Sequence, residues 1–134
     1  MIVAVIGSRD YQPLDQVRAF VRGLPRGTVL ISGGARGVDM EAAHEARRTG
    51  LPNPIVIRPD YKRLSGWYAP TARNSEIVQL ADSVVAFWSR SGIEAAIRHD
   101  RGGTWDVICK AMVARKPLRI FASRCERASD GLGI

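Results

Sequence analysis

Residues 28–46 read "TVLISGGARGVDMEAAHEA". A short apolar run rich in β-branched residues opens the stretch, three glycines fall within the next five positions, and an alanine-rich segment follows at once. The apolar run predicts a strand over 28–32, and the pattern from Val38 to about Arg48 predicts a helix whose small face, Ala42, Ala43 and Ala46, packs close to a sheet. Strand, glycine turn and helix in immediate succession are the opening of a βαβ unit.

The rest of the chain repeats that alternation. "IVAVIG" at 2–7 is a continuous apolar run ending in glycine, which predicts a central strand buried on both faces. Leu14, Val17, Val21 and Leu24 follow with helical spacing until "LPRG" at 24–27 stops them. "NPIVIRP" at 53–59 is a shorter, proline-bracketed strand, and "DYKRLSGWYAPTARN" at 60–74 is a long loop leading into a helix near 72–81. "SVVAFW" at 83–88 is the fourth strand, and 89–101 is a loop containing a short helix. Trp105, Ile108 and Met112 mark the face of a last helix closed by Lys116 and Pro117, ahead of "LRIFAS" at 118–123. The expected class is therefore α/β, a Rossmann-like parallel sheet of about five strands in the order 3-2-1-4-5 with helices on both faces. Residues 1–123 form one domain in this reading, and 124–134, polar and glycine-containing, a flexible tail.

With 134 residues and a hydrophobic fraction of 46%, the chain is the size of one domain with one core. No basic start precedes a long apolar run, so neither a signal peptide nor a membrane span is expected, and the cytoplasm is the expected compartment. The two cysteines, Cys109 and Cys125, are too few for a disulfide framework or a cysteine-only metal site. His44 and His99 have no partner at metal-ligand spacing, and His44 reads as a partly buried helix residue. A net charge of +7 favours anionic partners, but the arginines are dispersed, with no basic run.

In the order 3-2-1-4-5, the loops after the first, second and fourth strands meet at one crevice. They carry Gly7, Ser8 and Arg9; Gly33, Gly34, Arg36, Gly37 and Asp39; and Gly102, Gly103 and Thr104. Glycine turns that open helices bring backbone N–H groups close to an anion, so a phosphate-bearing ligand is the expected occupant. Asp39 suits an N-cap or a ribose contact, and Thr104 suits a cap that also touches phosphate. Trp67 and Tyr68 suit either base stacking or capping of the core. The GxGxxG fingerprint and the P-loop ending are absent, which disfavours dinucleotide oxidoreduction and P-loop ATP hydrolysis, and neither Ser8 nor Ser32 lies in a nucleophile elbow. No cofactor or metal is called for.

"VIGSRDY" at 5–11, "LISGGARGVDMEAAHEA" at 30–46, "ARN" at 72–74, "ADSVVAFW" at 81–88 and "GGT" at 102–104, taken together, resemble the SLOG superfamily, in particular its YspA-type, YpsA-related branch. The resemblance spans residues 2–122 and implies a Rossmann-like fold that binds a nucleotide or nucleotide-derived ligand, as a sensor or a nucleotide-processing component. Two more distant relatives imply alternatives. The Lonely-guy phosphoribohydrolases cleave the N-glycosidic bond of a nucleoside monophosphate with an arginine and a glutamate. Alignment on their "PGGxGTxxE" loop puts Val107 where that glutamate stands, leaves Asp106 as the neighbouring acid with Asp39, Asp10 and Glu76 as other acids that could substitute, and matches Arg73 to the arginine. The DNA-processing protein A family has a similar "SGxARGxDxxAH" loop and an "RN" pair, here Arg73 and Asn74, and binds single-stranded DNA. Pairing of relatives through helices near the site implies a homodimer.

Overall fold

A computed structural model describes residues 1–98 and 102–122. The expected tail and His99 lie outside that range. Five parallel strands, β1 (Ile2–Gly7), β2 (Val29–Ser32), β3 (Ile55–Val56), β4 (Ser83–Trp88) and β5 (Leu118–Ala122), form one sheet in the order β3-β2-β1-β4-β5. Helices α1 (Leu14–Arg22), α2 (Val38–Arg48), α3 (Tyr68–Leu80), α4 (Arg90–Ile97) and α5 (Gly103–Val113) supply the crossovers. The fold is α/β and Rossmann-like.

Side chains on a strand alternate between faces, so the continuous apolar runs divide into two cores. Val3 and Val5 of β1 join Leu30, Val85 and Phe87 beneath α1 and α2. Ala4 and Ile6 join Ile31, Val84 and Ala86 beneath α3 and α5. The register pairs Ala4 with Val84 and Ile6 with Ala86, which keeps the two sets in phase across the sheet. Phe87 stacks on Phe121 at 4.8 Å and meets Tyr11 edge-on at 5.4 Å, tying β5 and the loop after β1 into the first core. On the other side Trp88 and Trp105 stack with centroids 5.3 Å apart, joining the end of β4 to the first turn of α5.

Three elements differ from the sequence reading, and a fourth, the short helix expected within 89–101, is present. β3 shrinks to Ile55–Val56 because Pro54 and Pro59 on either side have no N–H to donate to a ladder. α3 begins at Tyr68, four residues ahead of the expected 72; Pro70 sits in its first turn, where the missing N–H has no intrahelical acceptor to lose. The short helix expected within 89–101 is the eight-residue α4, capped by Ser89, whose side chain accepts from the Gly92 N–H at 3.1 Å. In α5 the buried stripe is Val107, Ile108 and Ala111, and Met112 faces outward at 53% exposure. His44 is likewise exposed, because Ala42, Ala43, Glu45 and Ala46 occupy the inward side of α2.

Gly7 is tightly packed between β4 and α2. A Cβ there would lie 2.6 Å from both the Phe87 carbonyl oxygen and Val38 Cγ2, one of them backbone. Gly7→Ala is therefore expected to destabilise the fold by about 1–3 kcal/mol through overpacking, read as a lower urea midpoint with an unchanged m-value.

Candidate functional site

The end of β1, the loops after β1, β2 and β3, and helices α2, α3 and α5 line a crevice of about 500 Å³. Gly7, Ser8 and Arg9 line it from β1, Gly33, Gly34 and Asp39 from β2 and α2, and Gly103 and Thr104 from α5. Arg73 and Asn74 enter from α3, and Pro59, Tyr61, Trp67 and Pro70 form a less polar wall at the mouth. Position in the strand order, read from the sequence, thus finds most of the residues that meet at this crevice.

Asp39 is neither an N-cap nor an exposed acid. Gly37 occupies the cap position of α2, and no side chain caps that helix. Asp39 is 4% exposed and reaches back under its own loop. Its Oδ2 accepts from Gly33 N at 3.0 Å and Ala35 N at 3.5 Å, and its Oδ1 from Gly7 N at 3.1 Å. Amides expected to cradle a ligand phosphate are therefore directed at an internal carboxylate. Gly34 and Gly37, with φ of 76° and 85°, permit the loop to fold over that group, a conformation other residues adopt only with strain. Burial pushes the Asp39 pKa up to about 6, against the opposing pull of the Gly7 amide and the Arg73 guanidinium.

Arg73 joins Arg9 as a cation of the crevice lining. Its Nη1 donates to the Gly33 carbonyl and its Nε to Asn74 Oδ1 at 2.8 Å. Burial lowers its pKa, the Asp39 carboxylate raises it, and the neighbouring charge of Arg9 lowers it again. Two positive groups held this close repel unless an anion lies between or beside them. A Cβ on Gly33 would stand 2.6 Å from Arg73 Nη1 and 2.8 Å from Asp39 Oδ2, so glycine is what allows arginine and aspartate to approach across the loop.

Further donors come from α5. Its cap is Gly102, which offers no side-chain acceptor, so the first-turn N–H groups around Gly103 and Thr104 are directed outward with the positive end of the helix dipole. Thr104 is not the cap but the second helical residue, with its Oγ1 3.5 Å from Ser8 Oγ. Val107 lines the crevice, whereas Asp106 is turned aside to pair with Lys110 at 2.7 Å and to accept from Asn74 Nδ2 at 3.0 Å. The carboxylate implied for N-glycosidic cleavage is thus committed elsewhere.

Arg36, Gly37, Gly102 and Asp106 do not line the crevice. Arg36 is exposed, and Gly37 is pressed against Arg9, whose carbonyl oxygen would lie 2.6 Å from a Cβ there. Of the two aromatics singled out, Trp67 lines the mouth and Tyr68 does not, being 72% exposed. Tyr61 was not signalled: its loop has no period, and only the return of the chain over β2 brings it to the wall. Among the described residues no three His, Cys, Asp or Glu side chains converge as a metal site, and no helix is long and apolar enough to cross a membrane.

No protein-family model matches the chain, and no curated protein does. A solved structure of DNA processing protein A from Helicobacter pylori, described by its single-stranded DNA binding mode, matches with a TM-score of 0.67. The match covers 97% of this chain and 72% of that one at 21% identity. At that identity the shared property is the fold.

A buried carboxylate whose pKa rises on folding binds its proton more tightly in the folded state, so it favours folding below the unfolded value of 3.8. That contribution is lost as pH rises through about 6. Comparison of wild type with Asp39→Asn in urea titrations between pH 4 and 7 is expected to show it: wild type loses up to about 3 kcal/mol relative to the variant over this window. At pH 4 the variant is the less stable, since its amide N–H₂ meets backbone donors.

Proposed function

We propose that the crevice binds single-stranded nucleic acid, taking the phosphate of one nucleotide between Arg73, Arg9 and the α5 N-terminus and its base against the Tyr61 and Trp67 wall. The carrying observation is this juxtaposition of a half-buried guanidinium, an uncapped helix start and an aromatic-lined mouth in one open crevice. Cation plus aromatic is the pairing that holds unpaired strands, because every base has a face to stack and every nucleotide a phosphate. Arg36, Arg58, Lys62 and Arg63 lie exposed on the loops that follow β2 and β3 and offer further phosphate contacts to a strand leaving the crevice. The fold shared with the Helicobacter protein, whose structure is described by its single-stranded DNA binding mode, supports the same reading by analogy.

A free nucleotide or nucleotide-derived ligand is the second reading. It is favoured by the size of the crevice, about 500 Å³, which lies within the usual range for a small-molecule site. Phosphoribohydrolase activity has less support: Val107 occupies the crevice where a carboxylate is needed, and both oxygens of Asp39 already accept backbone N–H groups.

Fluorescence anisotropy with a labelled oligothymidylate, run beside adenosine monophosphate and ADP-ribose as competitors, tests the first reading against the second. Oligonucleotide affinity is expected to fall steeply with salt, the logarithmic slope reporting about 0.7 per phosphate engaged. Arg73→Ala is expected to weaken it about tenfold or more, and Arg73→Lys to recover little, because a point charge replaces a fixed fork. No anisotropy change with the oligonucleotide, together with mononucleotide binding measured directly by calorimetry, would favour the small ligand, and free base appearing in those mixtures would restore the enzyme.

A further inference from the structure

Asn74 stands between two groups that leave its amide one orientation. The Asp106 carboxylate only accepts, so Asn74 Nδ2 donates to its Oδ2 at 3.0 Å. Asn74 Oδ1 is thereby turned to Arg73, whose Nε donates to it at 2.8 Å. Asp106 is itself held from the next turn of α5, with Lys110 Nζ 2.7 Å from both of its oxygens. Asn74 is 2% exposed, so reversing the amide would set N–H against N–H with little access for water to relieve it. With Nε fixed by Asn74 and Nη1 by the Gly33 carbonyl, the guanidinium plane is set, and Nη2 is the Arg73 nitrogen with no acceptor among the described residues.

From this chain of contacts we infer that Asp106 is a positioning residue for anion binding: through Asn74 it orients Arg73 toward the crevice, without touching the ligand itself. The inference rests on the reading of the crevice as a phosphate site, and it replaces a catalytic part for Asp106. The same Asn74 Nδ2 also lies 3.5 Å from the Gly103 carbonyl oxygen, so the one amide references both Arg73 and the start of α5 to Asp106. Two sources of positive potential, guanidinium and helix N-terminus, are thereby held in fixed relation.

The experiment follows the Arg73 Nε–H resonance in the uncomplexed, ¹⁵N-labelled chain, assigned by its loss in Arg73→Lys. It is compared across wild type, Asp106→Ala and the exchanged pair Asn74→Asp with Asp106→Asn. The wild-type signal is expected to be sharp and slow to exchange, and Asp106→Ala to broaden or lose it. In that variant pyrophosphate affinity, measured by calorimetry, is expected to drop about tenfold. In the exchanged pair the new carboxylate at position 74 accepts from Arg73, and the new amide at 106 donates to it while accepting from Lys110. The signal is therefore expected to return. Affinity is not the readout for that pair, because it moves a negative charge next to Arg73. A signal equally sharp in Asp106→Ala, or one that the exchange does not restore, overturns the inference. If Asp106→Ala does not fold, Asp106→Leu, which fills the same space and also removes the acceptor, serves in the same comparison. Failure of the wild type to bind pyrophosphate would instead count against the phosphate site, with the resonance comparison still deciding what Asp106 does.

Discussion

One buried carboxylate organises the top of this sheet. Asp39 joins three segments, the end of β1 through Gly7, 32 residues away in sequence, the turn after β2 through Gly33 and Ala35, and α2 on which it sits. An ionised carboxylate removed from water is tolerated only when its lone pairs are satisfied, and three backbone N–H groups do that here. The same bonds satisfy amides that a buried turn would otherwise leave unpaired. Loop and acid each make the other possible, and the crevice takes its shape from the arrangement.

This changes how a glycine-rich turn is to be understood. The same sequence pattern serves two ends: presenting amides to a ligand, or closing them on an internal anion so that the loop becomes a rigid wall. In this chain the second prevails, and in the proposed function capture of an external anion falls to Arg73, Arg9 and α5. Closing the loop lets Arg73 lie across it, since Gly33 leaves room for the guanidinium beside the carboxylate. The internal anion therefore also helps retain the cation on which the proposed ligand site depends.

Where apolar pattern governs, the sequence was readable. Strands 2–7, 28–32 and 83–88 are runs that only a doubly covered sheet can bury, and the crevice follows from their order, as do Gly7, Ser8, Arg9 and Thr104 at its walls, whereas Arg73 was reached only through the family resemblance. Less legible was anything set by side-chain direction or by a long return of chain. Asp39 looked like a cap because a cap and a residue reaching back from the second helical position occupy nearly the same place in sequence. Asp106 and Val107 are adjacent in the chain yet point to different surroundings, which neighbouring positions on a helix, roughly 100° apart, always do. Tyr61 and the early start of α3 lay in a stretch whose mixed polarity carries no period.

The tryptophans give the molecule an optical property. All three lie around the same end of the sheet: Trp67 on the crevice wall, Trp88 and Trp105 stacked where β4 meets α5. Indoles this close exchange excitation energy, so the near-ultraviolet circular dichroism of the pair is a signature of the junction between β4 and α5. Trp67 emits from the wall that a base would cover. The unmodified chain thus carries one chromophore pair that registers how the helix is seated and, in Trp67, a fluorophore on the crevice wall that would register what enters beside it.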